Sequence, residues 1–221
     1  PVRQAERDDA LTLEEVLSTD PDRLLAGQDG VLVPLAGGDP NRAPVVLVHG
    51  LNGSPRELGD IAARFLSRGR PVHVFVYESQ RQPIGRSAEL LASEIQALRG
   101  RVGAQRIDIV AHSMGGLVSR AALNRMPEPP IDTVNLRMLD SPVEGMGHSA
   151  PGWLHPIAAF FMRLFGYRAQ ADMMSRSEFF SSLHQPLPDG TSVRIPMSTH
   201  EKRREISTGA FRRGAPRSGR S

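Results

Sequence analysis

The chain has 221 residues, of which 39% are hydrophobic and 23% charged, so it can bury one sizeable core but has little room for a second domain. It contains no cysteine, which excludes disulfide bonds, thiolate zinc sites and a cysteine nucleophile. Seven basic and two acidic side chains in residues 201–221 account for the net charge of +3, so a nucleic-acid-binding face on the folded body is not supported.

The composition divides the chain into three parts. Residues 1–40 are mostly polar and are expected to form an N-terminal extension, residues 41–200 the folded domain, and residues 201–221 a basic, disordered tail. No secretory leader is visible, and the most apolar run, residues 153–165, is too short and too interrupted to span a bilayer. We therefore expect a soluble protein, cytoplasmic by default or secreted if a leader has been removed.

Between residues 45 and 139, apolar runs of strand length alternate with amphipathic segments of helix length. The runs are continuously apolar, as in strands that are buried on both faces. They are Val45–Val48, Val72–Tyr77, Ile107–Ala111 and Val134–Leu139. Strands that alternate with helices in this way form a parallel sheet with right-handed crossovers, which places the chain in the α/β class.

Two of the helical segments carry sequence signals at their ends. Residues 54–57 have the form of a capping box, in which Ser54 is the N-cap and Glu57 returns to its backbone. Ser87 is expected to begin the next helix and Gly100 to end it.

A serine lies between a buried strand and a helix in the segment Ile109–Leu117, which reads IVAHSMGGL. A sharp strand-to-helix turn forces its central residue into strained backbone angles and lifts the side chain clear of the sheet. Small residues are needed on both sides of such a turn, and Ala111 and Gly115 meet that need. The following helix points free N–H groups, that of Met114 first, to where negative charge would develop. We therefore predict that Ser113 is a catalytic nucleophile.

A second signature follows the first predicted strand, in the segment Val48–Pro55, which reads VHGLNGSP. Acyl transfer needs another backbone N–H that faces the developing oxyanion. Gly50 and Gly53 allow this loop to turn, and Leu51 is well placed to donate its N–H.

The two signatures together resemble the bacterial lipase and esterase branch of the α/β-hydrolase family, and the resemblance extends from residue 45 to about residue 145. It implies an α/β-hydrolase fold, with a mostly parallel central sheet flanked by helices. It also implies that Ser113 is the nucleophile and that the N–H groups of Leu51 and Met114 form the oxyanion hole.

The loop after the fourth predicted strand, Leu139–Gly145, is similar to a small-Pro-x-x-Gly loop that many lipases carry at this position. The end of this strand is one of two places where the fold can hold the acid of a catalytic triad. Asp140 is therefore the candidate acid, and a turn or N-cap role is the alternative for it.

A triad also needs a histidine that follows the acid in chain order. Four histidines do so: His148, His155, His184 and His200. His200 has the best position, because the fold supplies the base from a loop after the last strand, and residues 191–195 form the last strand that the sequence predicts. The family pattern requires a further strand and helix there, so we expect the C-terminal part of the fold to be incomplete. His49 and His112 occupy motif positions and are expected to be structural.

Residues 146–185 interrupt the alternation of strands and helices with an aromatic stretch. Its large apolar side chains are Trp153, Phe160, Phe161, Phe165 and Tyr167. We expect inserted helices that lie over the carboxyl edge of the sheet as a cap or lid and shape an acyl pocket. The alternative is an ordinary core helix.

The expected activity is the hydrolysis of carboxylic esters, with an acyl lipid or another small-molecule ester as substrate and transient contact with lipid surfaces. Two alternatives stay open: an acyltransferase or thioesterase that uses the same serine, and a non-catalytic or truncated hydrolase-fold protein that lacks a complete triad. No cofactor or metal is expected, because the sequence has no His-x-x-x-His pair, no dense carboxylate cluster and no phosphate-binding lysine in its glycine-rich loops.

Overall fold

A computed structural model of the chain describes residues 10–103, 106–126, 133–139, 141, 170, 172–173, 183, 187 and 191–194. Helices and strands alternate through most of these residues, as the apolar pattern predicts. In chain order the elements are α1 (Leu13–Ser18), α2 (Pro21–Leu25), β1 (Gly30–Pro34), β2 (Val45–Val48), a 3₁₀ helix (Pro55–Leu58), α3 (Gly59–Leu66), β3 (Val72–Tyr77), α4 (Ile84–Val102), β4 (Arg106–His112), α5 (Met114–Arg125), β5 (Thr133–Leu139) and β6 (Thr191–Arg194).

The described strands form one mostly parallel sheet in the order β1-β3-β2-β4-β5-β6. Among the described strands, only β1 runs antiparallel to its neighbour, β3. β2 pairs in parallel with β3 on one side and with β4 on the other, and Val48 of β2 lies opposite Ala111 of β4. After β2 the chain adds β3 on one side of that strand and then returns to add β4 on its other side. Such a switch point leaves a crevice beyond the carboxyl ends of β2 and β4, where ligands bind in open α/β sheets.

Helices cover both faces of this sheet. The apolar side chains of α4 and α5 pack on one face with Val46 and Val48 of β2, while those of α1 to α3 pack on the other face with Val45 and Leu47. All four residues of β2 are fully buried, which explains why this strand is a continuous apolar run. Of the helices in the part of the chain that the structure describes, none combines the length and the apolar character that crossing a membrane requires.

Helix α4 is longer at both ends than the sequence predicts. It begins at Ile84, three residues before Ser87, and Gly103 rather than Gly100 ends it, with a left-handed φ of 60°. A side chain distant in sequence supplies the missing cap, because an Asp172 carboxylate oxygen accepts from the Ile84 N–H over 3.0 Å. Ser87 is buried inside the helix, where its hydroxyl accepts a hydrogen bond from Gln82. The prediction that Ser87 caps the helix is wrong for this reason.

Residues 10–40 contribute to the fold, although the polarity of the first 40 residues predicts an extension. β1 is an edge strand of the sheet, and Val16 of α1 and Leu25 of α2 are buried in the core. At the other end, β6 pairs in parallel with β5, close to the predicted strand at residues 191–195. The predicted tail, residues 201–221, lies outside the described residues.

Candidate active site

Ser113 occupies the joint between β4, which ends at His112, and α5, which begins at Met114. Its backbone has φ 51° and ψ −124°, a conformation that costs a residue with a side chain about 1–3 kcal/mol. Two hydrogen bonds hold this turn: Ser113 N–H donates to Leu139 O over 2.8 Å, and Gly116 N–H donates to Ser113 O over 3.0 Å. The strand–turn–helix form predicted around Ser113 is therefore present, with the strained serine at its centre.

Glycines beside the turn allow α5 to begin against the end of β2. A Cβ placed on Gly115 would lie 2.5 Å from His49 O and 2.6 Å from Val48 O, closer than any side chain can approach. Ala111, which stands two residues before the serine, is fully buried and leaves room for the same close approach. The small residues that the sequence places around Ser113 are thus explained by direct contact between backbones.

The loop from His49 to Gly53 lies next to this turn. A Cβ on Gly50 would be 3.0 Å from Ser113 Cβ and 3.3 Å from His112 O, so the loop touches the serine turn at a position where only glycine fits without displacement. Within the loop, Gly53 N–H donates to Gly50 O over 3.1 Å, and Asn52, with φ 56°, donates its N–H to Ser79 Oγ over 3.0 Å.

The two predicted oxyanion donors are backbone N–H groups that have no hydrogen-bond partner among the described residues. One belongs to Leu51, between two loop residues whose own N–H groups are bonded, and the other to Met114, the first residue of α5. The N-cap of α5 is Ser113, whose side chain makes no capping hydrogen bond. Free donors next to a serine hydroxyl are what an oxyanion site requires.

His49 has a structural environment. It is buried, its Nδ1 donates to Gly50 O over 3.0 Å, and its ring stacks on Tyr77 with 4.5 Å between the centroids. The Tyr77 hydroxyl in turn donates to His49 O over 2.8 Å. Burial lowers the pKa of His49, so that the ring is neutral near pH 7. Burial also raises the pKa of Tyr77, which keeps its phenol protonated as a donor.

Glu57 joins this site, although no sequence motif indicates that role for it. Its Oε1 accepts from Gly50 N–H over 2.9 Å, and its Oε2 accepts from His112 Nδ1 over 3.0 Å. The predicted capping box is therefore wrong: Ser54 caps the 3₁₀ helix through Arg56 N–H, and the Glu57 carboxylate does not return to Ser54. The Ser-x-x-Glu spacing predicts a local role for Glu57, whereas its partners lie on the loop after β2 and at the end of β4.

The alpha/beta hydrolase family profile matches residues 45–217, which include both signatures, the serine turn and the switch point of the sheet. This chain belongs to the α/β-hydrolase family. Over 88 residues the hydrolase is 36% identical to a triacylglycerol lipase of Pseudarthrobacter phenanthrenivorans, covering 36% of this chain and 27% of the lipase. Over 108 residues it is 29% identical to a lysosomal thioesterase of Xenopus laevis, covering 46% of this chain and 36% of the thioesterase. The chain thus spans only about a quarter to about a third of the length of these curated relatives.

Solved structures of two lipases have a similar fold. The mature form of a Bacillus licheniformis lipase matches with a TM-score of 0.53 at 20% identity, over 74% of this hydrolase and 70% of that lipase. Lipase B of Aspergillus fumigatus matches with a TM-score of 0.51 at 17% identity, over 76% of this hydrolase and 39% of that lipase. These likenesses concern the fold.

The predicted acid and base of this α/β-hydrolase, Asp140 and His200, lie outside the described residues. Asp140 directly follows Leu139, whose carbonyl accepts the Ser113 N–H, so the chain reaches Asp140 from a residue bonded to the serine turn. The other histidines that follow the acid, His148, His155 and His184, also lie outside the described residues.

The aromatic side chains of the predicted lid, from Trp153 to Tyr167, are outside the described residues as well. Two later residues of the same segment, Met173 and Leu183, are buried in the core on the face that α4 and α5 cover. The Leu183 carbonyl accepts a hydrogen bond from Arg120 Nε on α5 over 2.7 Å. Met173 and Leu183 therefore pack in the body of the hydrolase.

Proposed function

We propose that this α/β-hydrolase cleaves carboxylic esters through an acyl-enzyme formed on Ser113. The observation that carries the proposal is the positive-φ backbone of Ser113 between β4 and α5, beside the N–H groups of Leu51 and Met114, which have no hydrogen-bond partner in the described part of the chain. A strained serine at a topological switch point, with two free donors beside it, is the arrangement that acyl transfer requires.

The reaction follows from these positions. Ser113 Oγ attacks the acyl carbon while a histidine accepts its proton, and the carbonyl oxygen becomes an oxyanion that the Leu51 and Met114 N–H groups stabilise. Each such donor contributes on the order of 3 kcal/mol to the stability of the transition state. The bond to the alcohol then breaks, and the histidine gives its proton to the departing alkoxide. Water attacks the acyl-enzyme by the same route, which releases the acid and restores Ser113.

We assign the roles of base and acid to His200 and Asp140. The assignment of Asp140 is supported by its place directly after β5, next to the residue that bonds Ser113. That of His200 rests on chain order, because the base of this fold follows the last strand. His49 is set aside as the base because its ring is buried and stacked on Tyr77.

For the substrate we propose an acyl lipid or a related ester of low polarity. The triacylglycerol lipases among the relatives and the aromatic stretch Trp153–Phe165, which would line an acyl pocket, support this choice. A thioester is the second candidate, because one relative is a lysosomal thioesterase and the same serine chemistry cleaves both bonds.

The test is a panel of p-nitrophenyl esters from acetate to palmitate, together with an acyl-coenzyme A thioester, assayed with wild type, Ser113→Ala and Ser67→Ala. Ser67 lies on an exposed turn after α3 and serves as the matched control. We expect ester hydrolysis by wild type and Ser67→Ala, and a loss of at least about a thousandfold in Ser113→Ala. Activity that survives in Ser113→Ala would contradict the assignment of the nucleophile. A faster reaction with the thioester would favour the second candidate.

A further inference from the structure

We propose that Glu57 is a positioning residue of the oxyanion site, which locks the Leu51 loop onto the serine turn through its two carboxylate oxygens. The inference rests on the proposed ester-hydrolase function of Ser113. Glu57 belongs to the 3₁₀ helix after the loop, and its side chain reaches back between β2 and β4.

Each oxygen of the carboxylate holds a different chain segment. Oε1 accepts the N–H of Gly50, the residue before Leu51, and Oε2 accepts from Nδ1 of His112, the residue before Ser113. The exposed fractions of the Glu57 and His112 side chains are 30% and 39%. A single side chain therefore joins the neighbours of the proposed oxyanion donor and of the proposed nucleophile.

The bond to Gly50 bears on the direction of the Leu51 N–H. The peptide group between Gly50 and Leu51 holds the Gly50 carbonyl, which accepts from Gly53 N–H and His49 Nδ1, and the Leu51 N–H, which points the opposite way. The peptide group before Gly50 is anchored at both of its polar groups: the Gly50 N–H donates to Glu57, and the His49 carbonyl accepts from the Tyr77 hydroxyl. Glycine has more backbone freedom than any other residue, so fixing both peptide groups fixes the torsions of Gly50.

Gly53 makes the space that the carboxylate occupies. A Cβ on Gly53 would collide with Glu57 Oε1 and would lie 3.0 Å from Gly50 O. The backbone of Gly53 has no positive φ, so alanine is compatible with its conformation. Gly53→Ala is therefore a means of displacing the Glu57 carboxylate without altering Glu57 itself.

An oxyanion exists only in the transition state and the tetrahedral intermediate, so a misdirected Leu51 N–H lowers kcat and leaves KM nearly unchanged. We expect Glu57→Leu to lower kcat on p-nitrophenyl butyrate by about 10- to 100-fold, the size of one lost hydrogen bond to a charged group. Glu57→Gln is expected to retain most of the activity, because its amide oxygen can accept from Gly50 N–H and its amide nitrogen can donate to His112.

The experiment compares wild type, Glu57→Leu, Glu57→Gln, Gly53→Ala, the double variant Gly53→Ala/Glu57→Leu, and the control Glu89→Leu. Glu89 is an exposed carboxylate on α4 that pairs with Arg86 over 3.7 Å. The measurements are kcat, KM, the rate of labelling by a fluorophosphonate, and the midpoint of thermal unfolding. The inference predicts parallel losses of kcat and labelling rate in Glu57→Leu and Gly53→Ala, no further loss in the double variant, rescue by Gln, and no effect of Glu89→Leu.

Two outcomes overturn the inference and remain distinguishable. Wild-type kinetics in Glu57→Leu, or a rise in KM at constant kcat, contradict the positioning role while Ser113 keeps its function. A wild-type protein that neither hydrolyses the ester nor reacts with the fluorophosphonate contradicts the proposed function, and the role of Glu57 falls with it. If Glu57→Leu does not fold, a folded Gly53→Ala with unchanged kcat is sufficient to overturn the inference.

Discussion

The backbone N–H of Ser113 donates to the carbonyl oxygen of Leu139 over 2.8 Å. Because Leu139 is the last residue of β5, this bond ties the turn after β4 to the end of the neighbouring strand. On its other side, the turn contacts the end of β2 through Gly50 and Gly115. The strained backbone of Ser113 is therefore held by two adjacent strands, and the site depends on an intact sheet.

Gly115→Ala is expected to lower the free energy of unfolding by about 1–3 kcal/mol, because the added Cβ would press on the carbonyl oxygens of Val48 and His49. Gly100→Ala in α4 is the matched control, since nothing lies within 4 Å of its Cβ position. The free energy of unfolding of the control should rise by about 0.5–1 kcal/mol, because alanine has a higher helix propensity than glycine. Urea unfolding measures both changes, and equal stability of the two variants would contradict the close packing at Gly115.

Asp108 on β4 is expected to stabilise the fold above about pH 4 and to lose that effect in acid. Burial raises the pKa of this carboxyl, but hydrogen bonds from Asn135, Arg106 and Arg70 outweigh burial and bring the pKa below its ordinary value. The folded protein thus binds the proton less readily than the unfolded chain. The stabilisation is complete above the unfolded pKa and disappears as the pH falls through the folded pKa.

The stabilisation by the Asp108 carboxylate is tested by measuring the unfolding of Asp108→Asn at pH 7 and pH 3. We expect a loss of about 1–3 kcal/mol in the free energy of unfolding at pH 7, because a largely buried acceptor for three side chains is weakened. At pH 3 the difference from wild type should shrink. A constant difference at the two pH values would show that the charge of Asp108 does not contribute.

His73 on β3 is expected to give the stability of the fold a second, separate dependence on pH. Burial, together with the nearby charge of Arg101, lowers the pKa of His73 to about 4, whereas an unfolded histidine titrates near about 6.5. The contribution of neutral His73 to the free energy of unfolding is therefore fully present above about pH 6.5. It falls by about 3 kcal/mol in total as the pH approaches 4. His73→Leu should flatten this part of the stability curve, with His49, whose pKa is also lowered by burial, contributing the remainder. An unchanged slope between pH 6.5 and 4.5 would contradict the burial of a neutral His73.

His200→Ala is expected to lower kcat by about a thousandfold or more and to leave the unfolding midpoint unchanged, if His200 is the base. The measurement is ester hydrolysis by this variant beside His148→Ala, His155→Ala and His184→Ala. Full activity of His200→Ala with loss in one of the other three would transfer the role of base to that histidine.

The sequence predicts the buried strands β2 and β3 well and the edge strand β1 poorly. β2 and β3 have the predicted bounds, because a strand buried on both faces is a continuous run of apolar residues. β1 begins at Gly30, ends at Pro34 and has only five residues, of which two are half-buried, so no strand is predicted there and its residues are assigned to the polar extension. Its antiparallel pairing with β3 is a tertiary contact that no local pattern contains.

The residues of the candidate site also differ in whether the sequence predicts them. Ser113 and the Leu51 loop are recognisable because glycines and small residues are required there by local backbone geometry. Glu57 is not, because its partner His112, 55 residues away, is brought to it only by the neighbouring positions of β2 and β4 in the sheet, and no local pattern pairs Glu57 with Gly50. The spacing within the sequence predicts that Glu57 caps its own helix, whereas in the fold its carboxylate bonds to Gly50 and His112 instead.

The reactivity of Ser113 is tested most directly by covalent labelling with a fluorophosphonate, followed by mass spectrometry of the peptides. The site predicts that wild type gains one adduct, that the modified peptide contains Ser113, and that Ser113→Ala gains none while Ser67→Ala is labelled as wild type is. Equal labelling of wild type and Ser113→Ala, or an adduct on another residue, would contradict the assignment of Ser113 as the nucleophile.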